Sequence, residues 1–194
     1  MIREAATTLF LRSGYLGTSM EEIATLAGVS KQTVYTHFAD KEQLFSDLVI
    51  AATDRVNDFL EQVRALEETD ELEADLHQLA RRYLAQVMGP DLLQLRRLVI
   101  GESGRFPELA RTYHERAPQR TLDTLASCFQ RLAERGLLRV DDPAIAASQF
   151  AFLVLGEPLD RAMFRSGEAA RPADLDRYAN EAVRTFLAAY GRQK

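Results

Sequence analysis

The stretch Thr18-Ser19-Met20-Glu21-Glu22-Ile23-Ala24-Thr25-Leu26-Ala27-Gly28-Val29-Ser30-Lys31-Gln32-Thr33-Val34-Tyr35-Thr36-His37-Phe38 leaves the chain few folding options. Thr18 with Glu21 three residues on reads as a capping box, in which hydroxyl and carboxylate satisfy exposed backbone N–H groups at a helix start. Ile23, Ala24 and Ala27 then share an inner face. Gly28 can take the left-handed conformation that ends the helix without a Cβ penalty, Val29 fills the corner, and Ser30 caps the next helix. Two short helices joined by so tight a turn form a helix-turn-helix, whose second helix enters a DNA major groove. The competing reading is an ordinary helical hairpin, which would need cap, glycine, corner and exposed polar face to coincide without a purpose.

The second helix is oriented by its own periodicity. Val34 and Phe38 lie four apart and must point into a small core with Ile23 and Ala27. At about 100° per residue, Gln32 and Thr36 then face directly outward, flanked by Thr33 and Tyr35. Such a face can hydrogen-bond to base edges. Lys31, Tyr35, His37 and Lys41 fall around the rim, where they would meet phosphates and set orientation. Thr18, Ser19 and Ser30, at the two helix starts, complete the candidate DNA-contacting set.

Charge works against this reading. The chain has a net charge of −5, which disfavours nonspecific attraction to a polyanion. The first 47 residues carry Arg3, Arg12, Lys31 and Lys41 against Glu4, Glu21, Glu22, Asp40, Glu42 and Asp47. Placement answers the objection in part, because Lys31 and Lys41 bracket the reading helix.

Apolar residues recur at three- and four-residue spacing along most of the 194 residues, which predicts an all-helical fold of about nine helices. Breaks are expected at Ser13-Gly14, Gly17, Gly28, Ala39-Asp40, Gly89-Pro90, Gly104 to Pro107, Pro118, Gly136, Asp142-Pro143 and Gly167 to Pro172. Short, densely punctuated segments give way to long ones after Asp40. We expect a three-helix DNA-binding domain over residues 1–46 and a larger helical ligand-binding and dimerisation domain over 47–194. A fourth helix, from Lys41 to about Leu66, would link them.

The run Ala5-Ala6, Leu9-Phe10, Gly14-Tyr15, Thr18-Ser19-Met20, Ile23-Ala24, Ala27-Gly28-Val29-Ser30, Thr33-Val34-Tyr35, His37-Phe38 and Lys41-Glu42-Gln43-Leu44 resembles the signature of the TetR/AcrR family of transcriptional regulators. The resemblance covers the first quarter of the chain. It implies that Tyr35 and Lys41 touch the DNA backbone and that Lys31, Gln32 and Thr33 touch bases. Family members often carry a basic arm ahead of the residue equivalent to Ile2, and no DNA contact from such an arm is expected. Arg96 to Ala110, with Arg135-Gly136 and Asp141-Asp142-Pro143, looks like the C-terminal domain of the AefR-like branch, which implies a regulatory domain and names no ligand.

In that larger domain Leu92, Leu95, Val99, Glu102 and Phe106 share a stripe, placing a carboxylate on an apolar face. Burying it unpaired is costly, so Glu102 either pairs with Arg96, Arg97 or Arg105 or lines a cavity and meets a polar ligand group. Tyr83, Met88, Val99, Phe106, Tyr113, Phe129 and Phe152, with Glu102, are the candidate ligand contacts; the alternative for each aromatic is plain core. The segment Pro143 to Phe164 is apolar on both faces. With Ala173 to Tyr190 it could build a four-helix interface across a two-fold axis through Ala147, Ala151, Leu155, Leu159, Val183, Phe186 and Leu187. A monomer with this helix fully central is the alternative.

Catalytic signals are weak. Gly101-Glu102-Ser103-Gly104 lacks the glycine two residues after the serine that a nucleophile elbow needs. His77 and His114 have no second histidine four residues away, so no metal site is readable. Cys128, the only cysteine, lies on a core stripe. We therefore expect no enzyme activity, no catalytic or metal residues and no cofactor. Apolar runs such as Phe150 to Leu155 fall short of the roughly 20 residues of a membrane helix, and no export signal is readable, so a cytoplasmic protein is expected. The resulting reading is a homodimeric repressor that binds a palindromic operator in double-stranded DNA and is released by a small apolar or amphipathic effector. Two alternatives are a dimerisation and interaction platform with no small-molecule site, and a helical small-molecule-binding protein or enzyme that does not use DNA.

Overall fold

A computed structural model describes residues 1–165 and 172–192. The expected break from Gly167 to Pro172 falls almost wholly outside the described residues, which resume at Pro172. Among those described, the elements are helical: α1 (Ile2–Ser13), α2 (Met20–Ala27), α3 (Lys31–His37), α4 (Lys41–Thr53), α5 (Asn57–Ala65), α6 (Leu72–Val87), α7 (Pro90–Gly101), α8 (Pro107–His114), α9 (Arg120–Glu134), α10 (Pro143–Phe164) and α11 (Pro172–Tyr190). A 3₁₀ turn at Asp54–Val56 joins α4 to α5, and a π turn at Glu115–Gln119 joins α8 to α9. Counting each joined pair as one run gives nine, as the sequence predicts. Pro118 sits inside the π turn. It has no N–H to donate and its ring crowds the preceding turn, so the helix widens there and does not stop. Asp40 caps α4 by accepting from the Gln43 amide at 2.8 Å, which fixes the predicted start at Lys41.

The chain divides into two compact units, Met1–Asp54 with Gln94–Arg116, and Arg55–Leu93 with Ala117–Lys194. The first unit is built on an aromatic cluster. Phe10 meets Phe45 edge-on at 5.2 Å, and Tyr15 lies 5.1 Å from Phe45. Phe106, just ahead of α8, inserts against both, at 4.8 Å from Tyr15 and 5.6 Å from Phe45. Val99 and Tyr113 are buried in the same core. Residues 94–116 thus belong to the packing of the helix-turn-helix although they follow it by more than fifty positions.

The second unit packs α5, α6, α9, α10 and α11 around Phe129, Phe150 and Phe186, whose ring centroids lie 4.9–5.5 Å apart. Phe59 stacks on Tyr83 at 4.6 Å. After α9 the chain is tied to the end of α11 by the Arg139 amide donating to the Tyr190 carbonyl at 2.7 Å. Among the described residues, no helix is long and apolar enough to cross a membrane.

Candidate nucleic-acid interface

The turn between α2 and α3 forms for the reasons its residues suggest, with one shift in register. Gly28 has φ 68°, ψ 30° and donates to the Ala24 carbonyl, closing α2 in the left-handed conformation. Ser30 then accepts from the Thr33 amide at 3.0 Å and starts α3. The capping box, expected on Thr18 and Glu21, lies one residue later: Ser19 accepts from the Glu22 amide at 3.2 Å, and Glu22 accepts from the Ser19 amide at 2.8 Å. Thr18 is buried instead, its hydroxyl donating to the Gly14 carbonyl at 2.8 Å. Both positions carry a hydroxyl with an acid three residues on, and the packing of Met20 and Ile23 into the core selects the second. The Ser19 contact holds the Glu22 carboxyl below its ordinary range.

The reading helix is oriented as its period requires. Val34 is fully buried and Phe38 nearly so. Gln32, Tyr35, Thr36 and His37 are exposed and Thr33 is half-buried. The Thr36 hydroxyl donates back to the Gln32 carbonyl at 2.9 Å, which leaves its lone pairs as acceptors. Gln32 and Thr36 thus stand together on the outward face.

The two bracketing lysines are both engaged within the unit, which the sequence does not reveal. Lys31 is ion-paired with Glu21 on α2, each side chain 56% exposed, and its ammonium lies 5.7 Å from the Tyr35 ring. The hydrogen bond between them lowers the Glu21 carboxyl and raises the Lys31 ammonium from their ordinary values. Lys41 reaches back to the α1–α2 turn, donating to the carbonyls of Tyr15 at 3.0 Å and Thr18 at 2.8 Å while sitting 4.4 Å over the Tyr15 ring. An ammonium has three donors. Two are spent on the fold and one is left.

The eight residues assigned to ligand contact do not come together in one unit. Val99, Glu102, Phe106 and Tyr113 lie in the first, and Tyr83, Met88, Phe129 and Phe152 in the second. Glu102 takes the ion-pair option, 3.7 Å from Arg105. Burial raises the Tyr113 hydroxyl above its ordinary range. Phe129 is sealed in the core and Phe152 is 69% exposed, so neither walls a cavity within its own unit. Three surface depressions of the second unit, of about 420, 170 and 390 Å³, are lined by other residues.

Of the seven residues assigned to subunit pairing, Ala147, Ala151, Val183 and Phe186 are at most 4% exposed within their own chain. Leu155 is buried as well, and Leu159 and Leu187 pack against the same core. Ala147, Ala151, Leu155, Val183 and Phe186 therefore offer a partner almost no further surface, whereas Leu159 and Leu187 keep part of theirs. The outward face of α10 carries Ile145, Phe152 and Leu153, all exposed. Both faces of this helix are apolar, so periodicity alone could not choose between them.

A helix-turn-helix with a polar outward face, set in an all-helical chain, defines a DNA-binding regulator class. Residues 2–48 match the family described as bacterial regulatory proteins, tetR family, and residues 74–192 match the AefR-like transcriptional repressor, C-terminal domain. The chain belongs to the TetR family of transcriptional regulators. A TetR-family regulator from Mesorhizobium loti is similar over 98% of this chain and 95% of its own, at 46% identity and a TM-score of 0.92. The flavonoid-responsive regulator FrrA is similar over 100% and 96%, at 32% identity and a TM-score of 0.71. YhgD of Bacillus subtilis, a helix-turn-helix transcriptional regulator, is 48% identical over 48 residues, a quarter of each chain.

Proposed function

We propose that the chain is a homodimeric repressor that binds a palindromic operator and is released by a small apolar or amphipathic effector. The single observation that carries the DNA-binding part is the outward pair Gln32 and Thr36 on α3, flanked by Thr33 and held by the Ser30 cap and the buried Val34 and Phe38. Gln32 and Thr33 read base edges. Lys31, Tyr35, His37 and the remaining donor of Lys41 meet phosphates, while Ser19 and Ser30 set the helix starts against the DNA backbone and Thr18, buried, makes no contact with it. DNA binding falls to residues 1–46, and effector binding and dimerisation to 47–194. Two reading helices would then reach successive major grooves. The protein has no enzymatic role and works in the cytoplasm, where its operator is.

Dimerisation is assigned to the outward faces of α10 and α11, with Ile145, Phe152 and Leu153 as the apolar contact. A cluster of large exposed apolar side chains on a 22-residue helix supports this reading. Phe152→Glu should shift the dimer to monomer in light scattering. Effector contact is assigned to the second unit, with Tyr83 and Met88 as candidates, and transmission to Val99, Glu102, Phe106 and Tyr113, since Phe106 packs directly on Tyr15 and Phe45. FrrA, responsive to flavonoids, supports an effector-driven mechanism.

The test is binding of operator and random duplexes by fluorescence anisotropy. Gln32→Ala should change base preference, whereas Tyr35→Phe should weaken every sequence alike. Identical effects of both on all sequences would refute the assignment of roles. Effector and operator should weaken each other's binding by a typical coupling of about 5- to 150-fold. Equal effector affinity for free and operator-bound protein would refute release.

A further inference from the structure

Taking the DNA-binding reading above as given, we propose that Glu21 is a positioning residue for DNA recognition, its carboxylate competing with DNA phosphate for the Lys31 ammonium. Of the two adjacent acids at the start of α2, Glu22 is consumed by the cap on Ser19. Glu21 is left to reach across the turn, and it closes on Lys31, the first residue of the reading helix. Both partners are more than half exposed, so a phosphate can displace the carboxylate without unfolding anything. Lys31 therefore strengthens binding only where the duplex sits close enough to take it from Glu21. The lowered Glu21 carboxyl and the raised Lys31 ammonium are what such a pair produces in the free protein.

The consequence is a reduced affinity for arbitrary DNA. An exposed ion pair biases an equilibrium by about 1.4- to 5-fold, and two reading helices per dimer compound this to roughly 2- to 30-fold. Removing any negative charge near DNA also helps binding, so the single variant is not diagnostic. The experiment is a double-mutant cycle with Glu21→Gln, Lys31→Gln and both, read as anisotropy on a random duplex at one fixed low salt, with circular dichroism verifying the fold. Glu21→Gln should tighten binding by that factor, beyond the general charge effect, when Lys31 is present, and by the general effect alone when Lys31 is replaced. Equal gains in both backgrounds, or no gain when Lys31 is present, would overturn the competition and leave the DNA-binding reading intact. If the unsubstituted chain bound neither random nor operator DNA, that reading would fall, and the competition with it. A separate NMR titration of free protein should raise the Glu21 carboxyl towards its ordinary value in Lys31→Gln; an unmoved titration would also overturn the pairing.

Discussion

Replacing Lys41 by methionine tests how far the small unit depends on one ammonium. Methionine keeps most of the apolar stem that lies along Tyr15 but deletes the charge. Lost with it are the hydrogen bonds to the Tyr15 and Thr18 carbonyls at 3.0 and 2.8 Å and the contact 4.4 Å over the Tyr15 ring. Hydrogen bonds to a charged group contribute about 1.5–3 kcal/mol each, and an exposed cation over a ring about 0.5–1 kcal/mol. Lys41 is half-buried, so water can take over part of the work at the carbonyls and the loss falls below the lower ends taken together, about 3.5 kcal/mol. The expected loss is about 2–3 kcal/mol. With a urea dependence of about 2 kcal/mol per molar, the unfolding midpoint should fall by roughly 1 M. Urea titration followed by far-ultraviolet circular dichroism measures it, with Gln32→Ala as the exposed control. A loss below about 0.5 kcal/mol, the level of an ordinary surface change, would refute the clamp and return the lysine to solvent.

Three further outcomes follow from the same geometry. Gly28→Ala introduces a Cβ that meets nothing within 4 Å, so its cost is the left-handed backbone alone, about 1–2 kcal/mol by chemical denaturation; a neutral change would contradict the φ of 68°. Burial pushes the Cys128 thiol up to about 12, so a disulfide reagent at pH 8 should label it only as fast as the second unit opens, and rapid native labelling would contradict the packing. Glu22 has its carboxyl lowered by Ser19, so its contribution to stability is present above the unfolded value near 4.5 and is lost as pH falls through the lower folded value. The stability difference between the unsubstituted chain and Glu22→Gln should therefore narrow below about pH 4.5; a difference constant from pH 3 to pH 7 would exclude the cap.

Local periodicity and turn chemistry are properties of neighbouring residues, which is why so much was legible in the sequence. Val34 and Phe38 oriented α3, Gly28 and Ser30 placed the turn, and Asp40 marked the start of α4. The capping box slipped by one residue because Thr18 and Ser19 offer the same chemistry, and only the burial of Met20 and Ile23 separates them. With Glu21 assigned to that cap, its pairing with Lys31 could not be seen.

What the tertiary structure alone decided are contacts between elements. The reach of Lys41 to the Tyr15 and Thr18 carbonyls spans 26 and 23 positions, and no spacing rule encodes a bond to a distant backbone. The stripe through Val99 and Phe106 was legible, but not that its partner is the aromatic cluster of the first unit. For α10 the sequence determined an apolar helix, and the fold determined which side was left over. A helix apolar all round satisfies either packing, so the choice falls to the neighbours α9 and α11, which cover Ala147, Ala151 and Leu155 and leave Phe152 to the outside.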